Sequence, residues 1–183
     1  MFRRQLTAIA IVGALSAAPL QAQLAVTVSG GATMPLGDYD KYASTGWIGT
    51  LGLLGSVGDK GIRVGAELFY GNNPHSSEVD GDKSVLTGML GTLQWRIGDK
   101  SKAGVFLVGN LGYMKHKITS ELFPSIEGSD DGLAYGAGAG LVLPKGRATW
   151  YLIARYLTAD IENATTSLAP LTLGVSFPLT TKN

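Results

Sequence analysis

Residues 61–71 read GIRVGAELFYG, and with the two-residue period of an extended strand they separate into two unlike faces. Ile62, Val64, Ala66, Leu68 and Tyr70 fall on one face, and Arg63, Gly65, Glu67, Phe69 and Gly71 fall on the other. Both charges lie on one side, so the two sides meet different surroundings. An antiparallel sheet with a wet side gives this alternation, as does a soluble barrel that is apolar inside. A barrel with lipid outside and polar groups inside gives it too. The remainder of the chain discriminates among these.

The length of 183 residues suits one domain. At the start, Arg3 and Arg4 precede an apolar run over residues 6–20, and Leu20-Gln21-Ala22 ends in a small residue. This is the pattern of a signal peptide over residues 1–22, cleaved to leave a domain over residues 23–183. The run is shorter than the roughly 20 residues of a membrane helix, and Pro19 interrupts its end. An exported chain with no cysteine must be stable without disulfides. Charged residues make up 16%, against about 25% in ordinary soluble domains. With no later apolar segment long enough for a helix span, these features point to a β-barrel.

Eight runs bounded by Gly, Pro, Asn or Asp read as strands: 24–36, 46–56, 61–71, 85–97, 103–115, 133–143, 147–158 and 168–179. Most reach the roughly 9 to 11 residues with which a tilted strand crosses a bilayer. The connections alternate in length. Residues 57–60, 98–102 and 144–146 form short turns, while 37–45, 72–84, 116–132 and 159–167 form longer polar loops. Short turns at the periplasmic end and long loops at the outer end characterise outer-membrane barrels, and an even strand count puts both termini in the periplasm.

One register runs through every strand without a charge. It includes Val28, Met34, Leu51, Leu53, the apolar set of residues 61–71, Met89, Leu93, Leu107, Leu111, Leu141, Leu152, Leu171 and Leu173. The opposite register holds Arg63, Glu67, Arg96 and Arg155 with Thr27, Ser29, Thr50, Thr92, Asn110, Thr172, Ser176 and many glycines. A soluble barrel needs many charges on its wet outside; four suit a filled polar lumen surrounded by lipid. Trp47, Tyr70, Tyr113, Tyr135 and Tyr156 fall near the loop ends of their strands, and Trp95, Trp150 and Phe177 near the turn ends, all in the outward register. Two aromatic girdles at the two water–lipid boundaries are expected. The loops carry Asp38, Asp40, Glu78, Asp80, Asp82, Glu121, Glu127, Asp130, Asp131, Asp160 and Glu162 against four lysines. The turns and tail carry Lys60, Lys100, Lys102, Lys145, Arg147 and Lys182 against Asp59 and Asp99. The net charge of +1 therefore conceals an acidic outer rim and a basic inner one.

The first hairpin, GGATMPLGDY over residues 30–39 followed by Gly46-Trp47, and the last strand, TLGVSFPL over residues 172–179, carry a resemblance. The chain resembles the small outer-membrane β-barrel proteins of Gram-negative bacteria, the class of OmpX, the opacity proteins and the OmpA transmembrane domain. The resemblance implies an eight-stranded antiparallel up-and-down barrel and an assembly signal at Thr172, Gly174, Phe177 and Leu179, read by the barrel-assembly machinery. It also implies outer-membrane lipid and lipopolysaccharide as surroundings, and a monomer. Pro178 cannot donate a ladder hydrogen bond, and residues 180–183 follow in place of a terminal aromatic. No peptidoglycan-binding segment follows in the sequence, so a wall anchor is not expected.

The chemical motifs are weak. Tyr135-Gly136-Ala137-Gly138-Ala139-Gly140 resembles a nucleotide-binding glycine loop but lacks the following helix, so inward glycines leaving room in a narrow lumen are expected. His75 with Ser77 and Glu78, or His116 with Ser120 and Glu121, could form the site of a lipid A-modifying enzyme, as in a known barrel deacylase. Both histidines sit in polar loops, away from an acyl chain, and read as solvated. Asp80-Gly81-Asp82 and Ser129-Asp130-Asp131 match no full calcium loop, and Asn163-Ala164-Thr165 matches a glycosylation sequon without evident bacterial use. No cofactor is expected, and the acidic loops disfavour nucleic acid.

Inside the lumen, Arg63 and Glu67 are four strand residues apart, roughly 13 Å, so Glu67 is expected to reach Arg155 or Arg96 instead. These charges plug the lumen or, alternatively, gate a narrow, anion-preferring pore. The expected function is a non-enzymatic surface protein whose acidic loops face the environment, for envelope integrity or for binding an extracellular ligand.

Overall fold

The computed structural model describes residues 24–75, 83–119, 128–161 and 164–179; the expected leader over residues 1–22 lies outside them. The strands are β1 (Leu24–Leu36), β2 (Gly46–Val57), β3 (Ile62–Pro74), β4 (Lys83–Ile97), β5 (Gly104–Thr119), β6 (Gly128–Lys145), β7 (Ala148–Ile161) and β8 (Ala164–Pro178). Each pairs antiparallel with its sequence neighbours, and β1 closes on β8 to complete an eight-stranded up-and-down barrel. Closure leaves no sheet edge, as strands in hydrocarbon require. The ladder continues beyond Pro178, because the Leu179 N–H donates to the Leu24 carbonyl at 2.7 Å.

The short turns are built on glycines with left-handed backbone, φ 90° at Gly98 and 64° at Gly146, a conformation that side chains with a Cβ rarely adopt. At the opposite end the strands run further than the sequence boundaries. β3 continues from Gly71 to Pro74, β5 from Lys115 to Thr119, β7 from Thr158 to Ile161, and β6 begins at Gly128 rather than Leu133. Segments expected as long loops, 116–132 and 159–167 above all, are therefore partly sheet. Polar residues marked those loops in the sequence, yet backbone pairing continues above the membrane wherever polar partners face each other across the ladder. Lys115 stands opposite Asp131 in this extension.

The outward register is exposed along every strand, with Leu51 at 53%, Leu68 at 54% and Leu173 at 56%. The inward register departs from the expectation of a mainly polar lumen. Tyr39, Ile48, Phe69, Leu86, Leu90, Met114, Leu157 and Leu168 form a buried apolar cluster in the loop-end half. Phe106, Val108, Val142 and Ile153 form another in the half nearer the termini. An eight-stranded barrel is just narrow enough for side chains to fill, and apolar side chains fill space without unmet hydrogen bonds. Glycine beneath bulky rings makes the fit: a Cβ on Gly88 would lie 2.5 Å from the Phe69 ring, and one on Gly140 equally close to Phe106.

Candidate functional site: a closed lumen and its two mouths

Between the two apolar clusters lies a thin polar layer. Arg155 sits two residues from Ile153 on one side and Leu157 on the other, and its Nη1 donates to Glu67 Oε1 at 2.5 Å. β3 and β7 are four strands apart in a ring of eight, so this ion pair spans the bore from wall to wall. The Arg155 side chain is buried, at 5% exposure, and that of Glu67 is largely covered, at 12%. Gly138, opposite Arg155 on β6, accommodates the arginine stem, since a Cβ there would lie 2.8 Å from Arg155 Cγ. Ser29 with Thr50 at 2.8 Å and Asn110 with Thr92 at 2.9 Å complete the layer.

The other two arginines do not join Glu67. Arg63 and Arg96 lie together at the terminal-end mouth. Arg96 Nη2 is drawn into the β4–β5 turn, donating to the Asp99 carbonyl at 3.1 Å and also to the Lys102 carbonyl. The four charges thus divide into a mid-bore pair and a separate cationic mouth.

The loop-end mouth is capped by the segment between β1 and β2. A short 3₁₀ helix, Gly37–Lys41, lowers Tyr39 into the bore until it is fully buried. Asn73 pins this cap, its Nδ2 donating to the carbonyls of Thr33 at 3.1 Å and Ser44 at 2.8 Å. The Ser44 N–H donates to the Pro74 carbonyl at 2.7 Å. Beneath the cap, His75 Nε2 and His116 Nε2 both hydrogen-bond Ser84 Oγ, at 2.9 and 2.8 Å. A hydroxyl has a single proton, so at least one imidazole must donate to it. Tyr39 packs edge-on against His116 and Tyr42 against His75. Burial pushes the Tyr39 phenol up to about 12, and its hydroxyl lies beside Ser84 without a well-formed hydrogen bond.

The expected solvated loop histidines are therefore half-buried members of a cap. His116 belongs to β5, and the extension of that strand turns it inward. The proposed companions Ser77, Glu78, Ser120 and Glu121 lie outside the described residues, as do Asp80, Asp82 and Asn163. Ser84 is the residue sequence reasoning missed. Its place in the expected loop over residues 72–84 hides it, although two-residue steps outward from the inward positions Leu90, Gly88 and Leu86 arrive at it. Asp130 and Asp131 lie in β6 rather than a loop, and among the described residues no group of three ligating side chains gathers.

Trp47, Tyr70, Tyr113, Tyr135 and Tyr156 stand exposed on the outer wall toward the loop end, and Trp95, Trp150 and Phe177 toward the other. Of the residues named in the last strand, Phe177 and Leu179 face outward, and Thr172 is fully buried. Gly174 lies under the Tyr151 ring, where a Cβ would meet the phenol carbon at 2.4 Å.

A closed barrel of eight strands with an apolar outside and a side-chain-filled bore defines an integral outer-membrane protein. Residues 7–177 match the model of the outer membrane protein beta-barrel domain, so the chain belongs to that family and resides in the bacterial outer membrane. Among solved structures it is similar to Neisserial surface protein A, with a TM-score of 0.64, 11% identity and coverage of 86% of this chain and 97% of that one. It is also similar to Ail, the attachment invasion locus protein of Yersinia pestis, in complex with the heparin analogue sucrose octasulfate. There the TM-score is 0.50, with 17% identity and coverage of 85% and 97%. At these identities the likeness is one of fold. No curated protein matches the chain.

Proposed function

We propose that the protein is a non-enzymatic, non-conducting barrel that holds acidic loops at the cell surface, with both termini in the periplasm. One observation carries this reading: the Glu67–Arg155 pair crosses the bore between two apolar clusters, leaving no continuous polar path for an ion. The buried Ser84 hydroxyl, shared by two imidazoles under Tyr39, offers a substrate no approach and argues against hydrolysis. The eight outward aromatic rings form the girdles that set the barrel's height in lipid and lipopolysaccharide. Thr172, Gly174, Phe177 and Leu179 serve assembly, residues 1–22 serve export, and the mature barrel acts as a monomer.

The Ail complex contains a polyanion. The acidic excess in this chain's loops repels such a ligand, so a cationic partner fits here. Planar-bilayer recording with purified protein tests the closed bore: silence is expected, and steady unitary currents would overturn the proposal. Lipopolysaccharide incubated with the protein should be recovered unmodified.

A further inference from the structure

The mouth at the terminal end holds two arginines with little counter-charge: the exposed Asp99 of the β4–β5 turn attracts Arg96, and among the described residues no acid pairs with Arg63. Arg63 enters β3 and Arg96 leaves β4, and both line a recess of about 30 Å³ in the floor of the bore. Among the described residues Arg63 has no hydrogen bond or ion pair, and the Glu67 carboxylate deeper in the bore is taken by Arg155. The Nε of Arg96 is buried without a partner, though Nη2 reaches turn carbonyls. The two guanidinium groups also repel one another. Unpaired, partly buried charge is costly unless something compensates it.

The geometry points to an anion site: the mouth takes one small oxyanion of the phosphate or sulfate class between Arg63 and Arg96. Each guanidinium presents a planar fork of N–H donors that matches oxyanion oxygens, a fit a spherical halide does not exploit. Thr27, Thr149, Ser176 and Gln94 line the same recess and bring further donor groups. A recess of about 30 Å³ is on the scale of one tetrahedral oxyanion and is too small for a nucleotide or a sugar phosphate. Around the opening, Lys60, Lys100, Lys102, Lys145 and Arg147 outnumber Asp59 and Asp99, and this field draws anions toward the site. The closed strand wall separates the recess from surrounding lipid, so the anion is a free periplasmic solute rather than a headgroup. The inference is independent of whether the bore conducts.

Calorimetric titration of inorganic phosphate into the full barrel, refolded in phospholipid-free non-ionic detergent, tests this against sodium chloride at matched ionic strength. Saturable binding of one phosphate per barrel is expected. Arg63→Gln and Arg96→Gln should each weaken it about tenfold or more, the loss of a charge-assisted hydrogen bond. Arg63→Gln relieves a like-charge contact and should fold, which heat-modified gel migration verifies. Arg63→Lys, which keeps the charge and loses the fork, should weaken binding less. If the variants do not fold, the wild-type Arg63 Nε–H resonance decides, shifting with phosphate if the site is real. Heats no larger than those for chloride, unchanged affinity in folded Arg63→Gln, an unmoved Arg63 resonance, or binding only after phospholipid is added would each overturn the proposal.

Discussion

The Glu67 carboxylate on β3 and the Arg155 guanidinium on β7 meet 2.5 Å apart from opposite walls of the ring, in a thin polar layer between two apolar clusters. Such a pair is balanced: desolvation of two charges is offset by their attraction, and removing one partner leaves the other uncompensated. Glu67→Ala is expected to destabilise the barrel by about 3–5 kcal/mol in urea unfolding. Glu67→Leu/Arg155→Leu, which removes both charges and refills the space, should cost far less than the single change. Equal losses in the two variants would show that the pair is not acting as a unit.

Gly174 supports a second expectation, because its place in the last strand has two explanations. If it is a letter of the assembly signal, only the last strand matters. The structure gives a packing reason instead: a Cβ would lie 2.4 Å from Tyr151 Cζ and 2.6 Å from Ser29 Cβ. Overpacking of this kind costs about 1–3 kcal/mol. Gly174→Ala should lower the folded yield in membranes, and Tyr151→Ala on top of it should restore the yield. Failure of the second change to rescue would favour recognition over packing.

Leu68 occupies mid-wall, flanked by Leu51 on β2 and Met89 on β4, all outward and exposed. An arginine there meets hydrocarbon, at a cost of about 2–4 kcal/mol near the bilayer midplane. Leu133 is equally exposed but stands beside Tyr113, toward the loop-end boundary. Leu133→Arg should therefore cost only about 0–1 kcal/mol. Refolding both variants into lipid vesicles and comparing unfolding free energies checks the depth difference, and equal costs would contradict this placement of the membrane.

What could be read from residue order follows from which solvent imposes the rule. Lipid rejects charge at every outward position, so the register of Leu51, Leu68, Leu111 and Leu173 was legible from alternation alone. The bore imposes no such rule. It is filled by whatever fits, and Phe69, Leu86 and Met114 inside look no different in sequence from core residues facing any other way. The Glu67 partner was narrowed to two arginines by strand spacing, and only the ring geometry that sets β3 against β7 selects Arg155. The cap was hidden for another reason: Tyr39, His75, Ser84 and His116 come from three connections and strand ends that meet only when the barrel closes.

Tyr39 makes that cap sensitive to alkali. Burial pushes its phenol up from 10.0 to about 12, so the folded mouth favours the neutral form. Between about pH 10 and 12 the folded chain holds a proton that the unfolded chain has released, and stability must fall as pH rises through that window. Below pH 10 the contribution is complete, roughly 2–3 kcal/mol for a displacement of this size. Lysines and other tyrosines titrate in the same range, so the informative quantity is the difference from Tyr39→Phe. The hydroxyl has no well-formed hydrogen bond to lose, and the phenylalanine variant should match or slightly exceed wild type at neutral pH. Unfolding free energies measured from neutral pH upward should then diverge above about pH 10, with the variant falling less steeply and tyrosinate absorbance showing one late-titrating group fewer. Parallel pH profiles for the two proteins would place the Tyr39 hydroxyl in water and refute the closed mouth.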